Sequence, residues 1–353
     1  MDNVSLKIVE NKRIEWIDIA KAFGITLVVL AHAISKDTYL WRYINQFHMP
    51  FFFAISGYLY RTKGSIFDNF KKKIRTLYLP YVGCSFIMQV IGWLFWEPFS
   101  VKKAVKILIM MDFGPLLGAT WFIAVLFFSI LIYDVINRIV TKLKISEYFI
   151  TGFCVICLAV GLFVHLPVRA NNTLLAISFV HCGKIINKYQ SFLFLKNKIK
   201  RRLLWCSSAA IVLVISFFST SSFATNTFSS KWCFLIAAIS GTVFLMVFSF
   251  DFSEFVKVKI VSNHMRFIGS NTMGIVIWQF VSFKIVSLLQ IWIYALPIER
   301  VADYPIIYDY SFGVWIVILL LSGIYVSIFI HFLLSILPNI FIKKLKTYNK
   351  KRS

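Results

Sequence analysis

The chain has 353 residues, 59% of them apolar and only 15% charged, and it carries a formal net charge of +23. Ordinary globular chains are about 45–50% apolar and about 25% charged, so a water-soluble enzyme is excluded and a bilayer is the expected solvent. Only helices and closed barrels satisfy their backbone in hydrocarbon. The apolar runs are long and lack the alternation of barrel strands, so the expected fold class is all-α, a polytopic transmembrane helical bundle.

A helical span needs about 20 mostly apolar residues. In chain order the sequence predicts about ten, near residues 17–34, 46–60, 77–96, 119–137, 148–165, 173–187, 203–220, 232–250, 267–293 and 313–337, with the second and sixth short. The first run has no small-residue cleavage site after it and reads as a retained helix. Between spans, residues 101–111 predict a short amphipathic helix, 220–231 a polar loop, and 294–312 a segment bearing Glu299, Asp303 and Asp309. Alternate inter-span segments, starting with the N-terminus, hold 28 of the 38 Lys and Arg residues, and the intervening ones hold 8. Lys and Arg stay cytoplasmic, which predicts both termini inside (N-in/C-in). The basic excess is thus a topology signal and a contact for anionic lipid, not a nucleic-acid footprint. Residues 1–353 read as a single integral membrane domain with a basic cytoplasmic tail at about 339–353, without an appended hydrolase-like domain. The six cysteines lie in apolar stretches and are expected to pack as small hydrophobes. Cys154-x-x-Cys157 lacks a second ligand pair, so no metal is expected.

Ionisable residues inside spans are costly and are functional candidates. In the first span Lys21 and His32 are eleven residues apart; at 100° per residue they share a face, about 16 Å apart along the axis. Asp18 lies on the same stripe. The second span begins with His48 at the depth of His32. Two imidazoles at one depth suit proton transfer near neutral pH. Lys284 is expected to reach outward, and His181 and His331 to be satisfied packing groups.

Five segments occur in one order: the Lys21-x10-His32 helix; Phe47-His48-Met-Pro-Phe-Phe-Phe-x-Ile-Ser-Gly-Tyr58; Arg75-Thr-Leu-Tyr-Leu-Pro80-Tyr81; Thr120-Trp121-Phe122; and Phe267-Ile-Gly-Ser-Asn-Thr-Met-Gly274. Together they resemble the acyltransferase 3 family of membrane O-acyltransferases, nearest in flavour to bacterial sugar and polysaccharide O-acetyltransferases of the fucose O-acetylase-like group. The resemblance implies an enzyme of the bacterial cytoplasmic (inner) membrane. It would move acetyl from cytoplasmic acetyl-CoA to a glycan or lipid-linked sugar hydroxyl at the outer face.

By that resemblance His32 is the catalytic histidine, as general base or transient acyl carrier, with His48 as its titrating neighbour. CoA is polyanionic, so Lys21, Lys71, Lys72, Lys73 and Arg75, with Asp18 beside Lys21, are the expected donor-binding residues. Trp121, Gln279 and Asn271 fall to the acceptor. Many relatives carry a histidine near Gln279, and an amide there cannot shuttle a proton. A glycan or metabolite transporter or flippase, and transfer of another acyl group such as succinyl, stand as alternatives. Nothing in the sequence bears on oligomeric state.

Overall fold

The computed structural model describes residues 14–335, apart from 37, 63, 96–97, 111–117, 168 and 257. The basic N-terminal segment, the end of the tenth expected span and the tail at 339–353 lie outside the described residues. The chain is helical almost throughout. It runs α1 (Glu15–Ala33), α2 (Tyr39–Asn45), α3 (His48–Tyr58), α4 (Ile66–Lys73), a π turn (Ile74–Tyr78), α5 (Leu79–Phe95), α6 (Val101–Leu108), α7 (Trp121–Lys142), α8 (Glu147–Phe163) and α9 (Ala170–Lys188). After the short α10 (Gln190–Leu193) and α11 (Lys198–Phe218) comes a hairpin, β1 (Ser221–Ser222) paired antiparallel with β2 (Thr227–Phe228). Then follow α12 (Lys231–Phe255), α13 (Lys259–Ser270), α14 (Thr272–Tyr294) and α15 (Val314–Leu321), the last continuing through a π turn (Ser322–Val326).

Seven helical stretches among the described residues are long and apolar enough to cross a bilayer: 15–33, 66–93, 121–142, 198–218, 231–255, 272–294 and 314–335. The other three expected spans are α3, with 11 residues, the 17-residue apolar α8, and the 19-residue α9. For α3 and α9 the shortness or polarity has a packing cause, whereas α8 exposes much of its apolar surface. Every residue of α3 except Ser56 is buried, and α9 lies against α3, α7 and α8. Helices enclosed by protein need not match a lipid core.

Backbone contact fixes the centre. A Cβ on Gly57 would stand 1.8 Å from the Val180 carbonyl oxygen, and one on Gly183 1.8 Å from that of Ala54. The α3–α9 crossing therefore needs small residues on both helices. Elsewhere polar side chains tie helices together. Arg201, only 2% exposed, donates to Asp251 at 2.6 Å and Glu254 at 2.5 Å, pinning α11 to α12. The charge pattern alone places Arg201 among the cytoplasmic residues that contact lipid, but its charge is spent inside the bundle.

Other expectations need amendment. The amphipathic helix forms over Val101–Leu108 only, and 111–117 lie outside the described residues. The polar loop at 220–231 contains the hairpin, which Phe223 anchors in the core at 1% exposure. Cys206 is exposed on α11 rather than buried. In the 294–312 segment Asp303 and Asp309 are clasped by Arg300 at 2.9 and 2.7 Å, and these partners raise the guanidinium pKa further. Lys284 is buried and donates to the Asp303 carbonyl. His181 is satisfied between Tyr133 (2.9 Å) and Thr151 (3.0 Å), whereas His331 packs against Gly274.

Candidate active site

The end of α1, the start of α3 and the start of α7 meet around a cavity of about 60 Å³, whose lining includes His32, His48, Asn45, Trp121, Phe223 and Val276. That is room for a few water-sized groups. His32 makes no hydrogen bond with any described residue; its ring stands edge-on to Phe280, 5.0 Å between centroids. Both nitrogens are thus uncommitted. His48 differs. Its Nδ1 lies 2.8 Å from the Ile44 carbonyl oxygen. A carbonyl only accepts, so Nδ1 carries the proton and Nε2 keeps its lone pair. The tight α2–α3 joint, which puts Ile44 one turn ahead of His48, fixes that tautomer.

Trp121 walls the cavity. It is buried, stacks on Phe223 at 6.1 Å and 18°, and carries the Arg169 guanidinium over its ring at 5.4 Å. Arg169 also donates to the Ala224 carbonyl and Asn172 to that of Phe223, so α9 and its approach hold the hairpin over the cavity.

Gln279 is fully buried on α14, one turn from Val276. Its amide nitrogen turns back to the Val276 carbonyl at 3.3 Å, and its Oε1 has no partner among the described residues. Asn271 is elsewhere. Its amide donates to the Phe267 carbonyl at 2.8 Å at the break between α13 and α14, and it does not line the cavity. A residue at a helix break spends its side chain on the loose carbonyls there.

At the opposite end of α3 a larger cavity, about 420 Å³, is lined by Arg61, Asn69, Lys72, Lys73, Tyr60 and Asp134 among others. Asp134, only 4% exposed, accepts from Tyr60 at 2.5 Å and from Arg138 at 2.8 Å. Its carboxylate is therefore occupied in holding the wall. Lys72 and Lys73 form no ion pair with a described residue. The size suits a ligand, and the free charge suits phosphate.

Two helices connect the cavities. On α3, Phe52 lines the histidine cavity and Ser56 the basic one. On α7, Phe122 lines the first, and Leu126, Ile130 and Asp134 the second. Steps of four keep these side chains on one face of each helix. Phe52 and Phe122, the last such residues of the histidine cavity, put their rings 5.9 Å apart.

Of the residues expected to bind the donor, only Lys72 and Lys73 line the basic cavity. Arg75 is exposed on the π turn and lies off the face made by Lys72, Lys73, Thr76 and Leu77, the i, i+1, i+4, i+5 positions of a helix. Lys21 pairs with the buried Asp18 at 3.5 Å in the first turns of α1, outside both cavities. Arg61 and Asp134 are not among the residues expected from the sequence. An acid inside the expected span 119–137 is a readable signal for Asp134. Phe223 gives none.

A family profile described as an acyltransferase domain matches residues 14–332. No curated protein and no solved structure matches the chain significantly. The profile takes in every element that lines the two cavities, and the chain belongs to the acyltransferase 3 family: it is a multi-pass membrane acyltransferase.

Proposed function

We propose that the protein is an O-acetyltransferase of a bacterial cytoplasmic membrane, with about ten spans and both termini in the cytoplasm. It takes acetyl from acetyl-CoA on the cytoplasmic side and places it on a hydroxyl of a surface polysaccharide or its lipid-linked precursor at the outer face. The observation that carries this reading is the uncommitted His32 imidazole facing, across one cavity, a His48 whose tautomer its own helix turn fixes.

In this reading the basic cavity receives the CoA phosphates at Lys72, Lys73 and Arg61, and the histidine cavity receives the thioester. From His48 to Leu59 is eleven residues of helix, about 16 Å, a length that an extended pantetheine arm spans. His32 takes the proton of the acceptor hydroxyl, and the freed oxygen attacks the thioester carbonyl. The carbon–sulfur bond then breaks and the thiolate leaves with a proton. General-base catalysis of this kind contributes about 10²–10⁴-fold. The Lys and Arg asymmetry between alternate segments supports the orientation.

The test is incorporation of radiolabelled acetyl from acetyl-CoA into cell-surface glycan in a deletion strain complemented with wild type or His32→Ala. Label in wild type that is lost in the variant supports the reading. Label retained by His32→Ala at normal protein level removes His32 from the chemistry. Absence of label in both shifts the reading to another acyl donor such as succinyl-CoA, and then to glycan transport.

A further inference from the structure

Beside the histidine cavity lies another, about 410 Å³, lined by Lys36, Trp41, Arg42 and the Ser and Thr side chains of the hairpin region. Three elements wall both cavities with neighbouring residues. The stretch ending α1 gives His32 to one and Lys36 to the other. On α2 Asn45 faces the first and Arg42, one turn earlier, the second. At the hairpin Phe223, just after β1, enters the first and Ser222 lines the second. A ligand seated in the larger cavity therefore lies next to His32.

The lining defines what such a ligand is. Hydroxyls from Ser and Thr and one indole match the mixed polar and C–H faces of a sugar. Two cations add a demand that a neutral sugar does not meet. Arg42 stands over Tyr39 at 5.4 Å, and neither Arg42 nor Lys36 forms an ion pair with a described residue. Residues 35–45 and 219–231 together hold Lys36, Arg42 and Lys231 against a single acid, Asp37, which lies outside the described residues. The surplus charge remains whatever Asp37 does. Gln46, donating to the Ser219 carbonyl at 2.7 Å, locks α2 to the hairpin, so the two walls are set before a ligand arrives.

We infer that this cavity is a subsite for an acidic saccharide, and that it selects an acceptor carrying a carboxylate or phosphate beside the hydroxyl to be acylated. The inference rests on the acceptor role proposed for the His32 end and adds the charge of that acceptor. Arg42 supplies the planar, bidentate contact to the anion and Lys36 a point charge.

The test is direct binding to the purified full chain in phosphatidylcholine nanodiscs, with fluorescent tetraglucuronate and the neutral glucose tetramer as probes. Tetraglucuronate should bind roughly tenfold more tightly, the worth of about one charge-assisted hydrogen bond. Arg42→Gln should erase the preference and Arg42→Lys should keep most of it, both variants remaining monodisperse. Equal binding of the two probes, absence of binding, or a preference that survives Lys36→Gln/Arg42→Gln overturns the inference. So does displacement of tetraglucuronate by phosphatidylglycerol, which would make the cavity a headgroup site. Acetyl transfer measured on the same preparations separates the two readings. Transfer without acidic preference sinks this inference alone, whereas acidic preference without transfer sinks the proposed function and leaves an acidic-saccharide site.

Discussion

His48 holds a proton on Nδ1 because Ile44 leaves it no alternative, which makes its role separable from its packing. An asparagine amide donates to the same carbonyl but has no second ring nitrogen. His48→Asn should therefore keep the α2–α3 joint and the melting temperature while lowering kcat by about 10²-fold or more. Enzyme turnover beside thermal unfolding checks this, and a fully active His48→Asn would reduce His48 to a packing residue. On the donor side Lys72→Gln and Lys73→Gln should each raise the KM for acetyl-CoA by roughly tenfold, and Arg75→Gln by much less, because Arg75 faces away from the cavity. The reverse order would put the donor somewhere else. His32 and His48 are legible in the sequence because their chemistry is rare in an apolar helix and their spacing is local. Lys72 over Arg75 is not, since helical spacing separates the two faces of this basic stretch but does not say which face meets the cavity. Phe223 is hidden for another reason: one aromatic in a Ser- and Thr-rich loop carries no periodicity, and only the fold shows that it fills the core.

Helix by helix, the long apolar runs give their positions away to within a few residues, because lipid demands both length and composition. The short α3 and the polar α9 are stable as helices for a different reason, their backbone-to-backbone crossing. Gly57→Val has nowhere to put its side chain, since even the Cβ would meet the Val180 carbonyl at 1.8 Å. It should destabilise the protein by about 2–4 kcal/mol, read as a large drop in melting temperature in detergent. A Cβ on Gly83, in α5, would meet nothing within 4 Å, so Gly83→Val should leave the melting temperature nearly unchanged. A similar drop in both would show general helix sensitivity instead of a tight crossing. The α11–α12 pair offers a second such contact. Asp251→Ala strips the buried Arg201 of a close partner, and an uncompensated buried charge costs about 3–5 kcal/mol, softened here because Glu254 remains within reach.

For the whole molecule the open quantity is the path of the chain through the bilayer. The positive-inside count is readable without any structure, and burying Arg201 removes one charge from it without changing its sign. The number of crossings is harder to read, because α3 and α9 satisfy packing rather than lipid and the apolar α8 has only 17 residues. Cysteine accessibility divides these questions. Three long apolar helices, α11, α12 and α14, separate Lys198 from Glu299, both exposed. An odd number of crossings puts them on opposite faces whatever α3 and α9 do. Lys198→Cys should react with a membrane-impermeant maleimide only in inverted vesicles, and Glu299→Cys only in intact spheroplasts; exchanged results would invert the proposed orientation and place the basic cavity outside, away from CoA. A second pair isolates α3. Tyr39, 58% exposed at the start of α2, and the exposed Lys71 on α4 flank it. From Tyr39 to Tyr58 are about 20 residues, about 30 Å if the two helices ran end to end, just enough to cross. Tyr39→Cys labelling from outside and Lys71→Cys from inside would make α2 and α3 together a full crossing. Labelling of both from one side would turn α3 into a re-entrant helix, and the two cavities would then open on the same face of the membrane, which the proposed transfer across the bilayer does not permit.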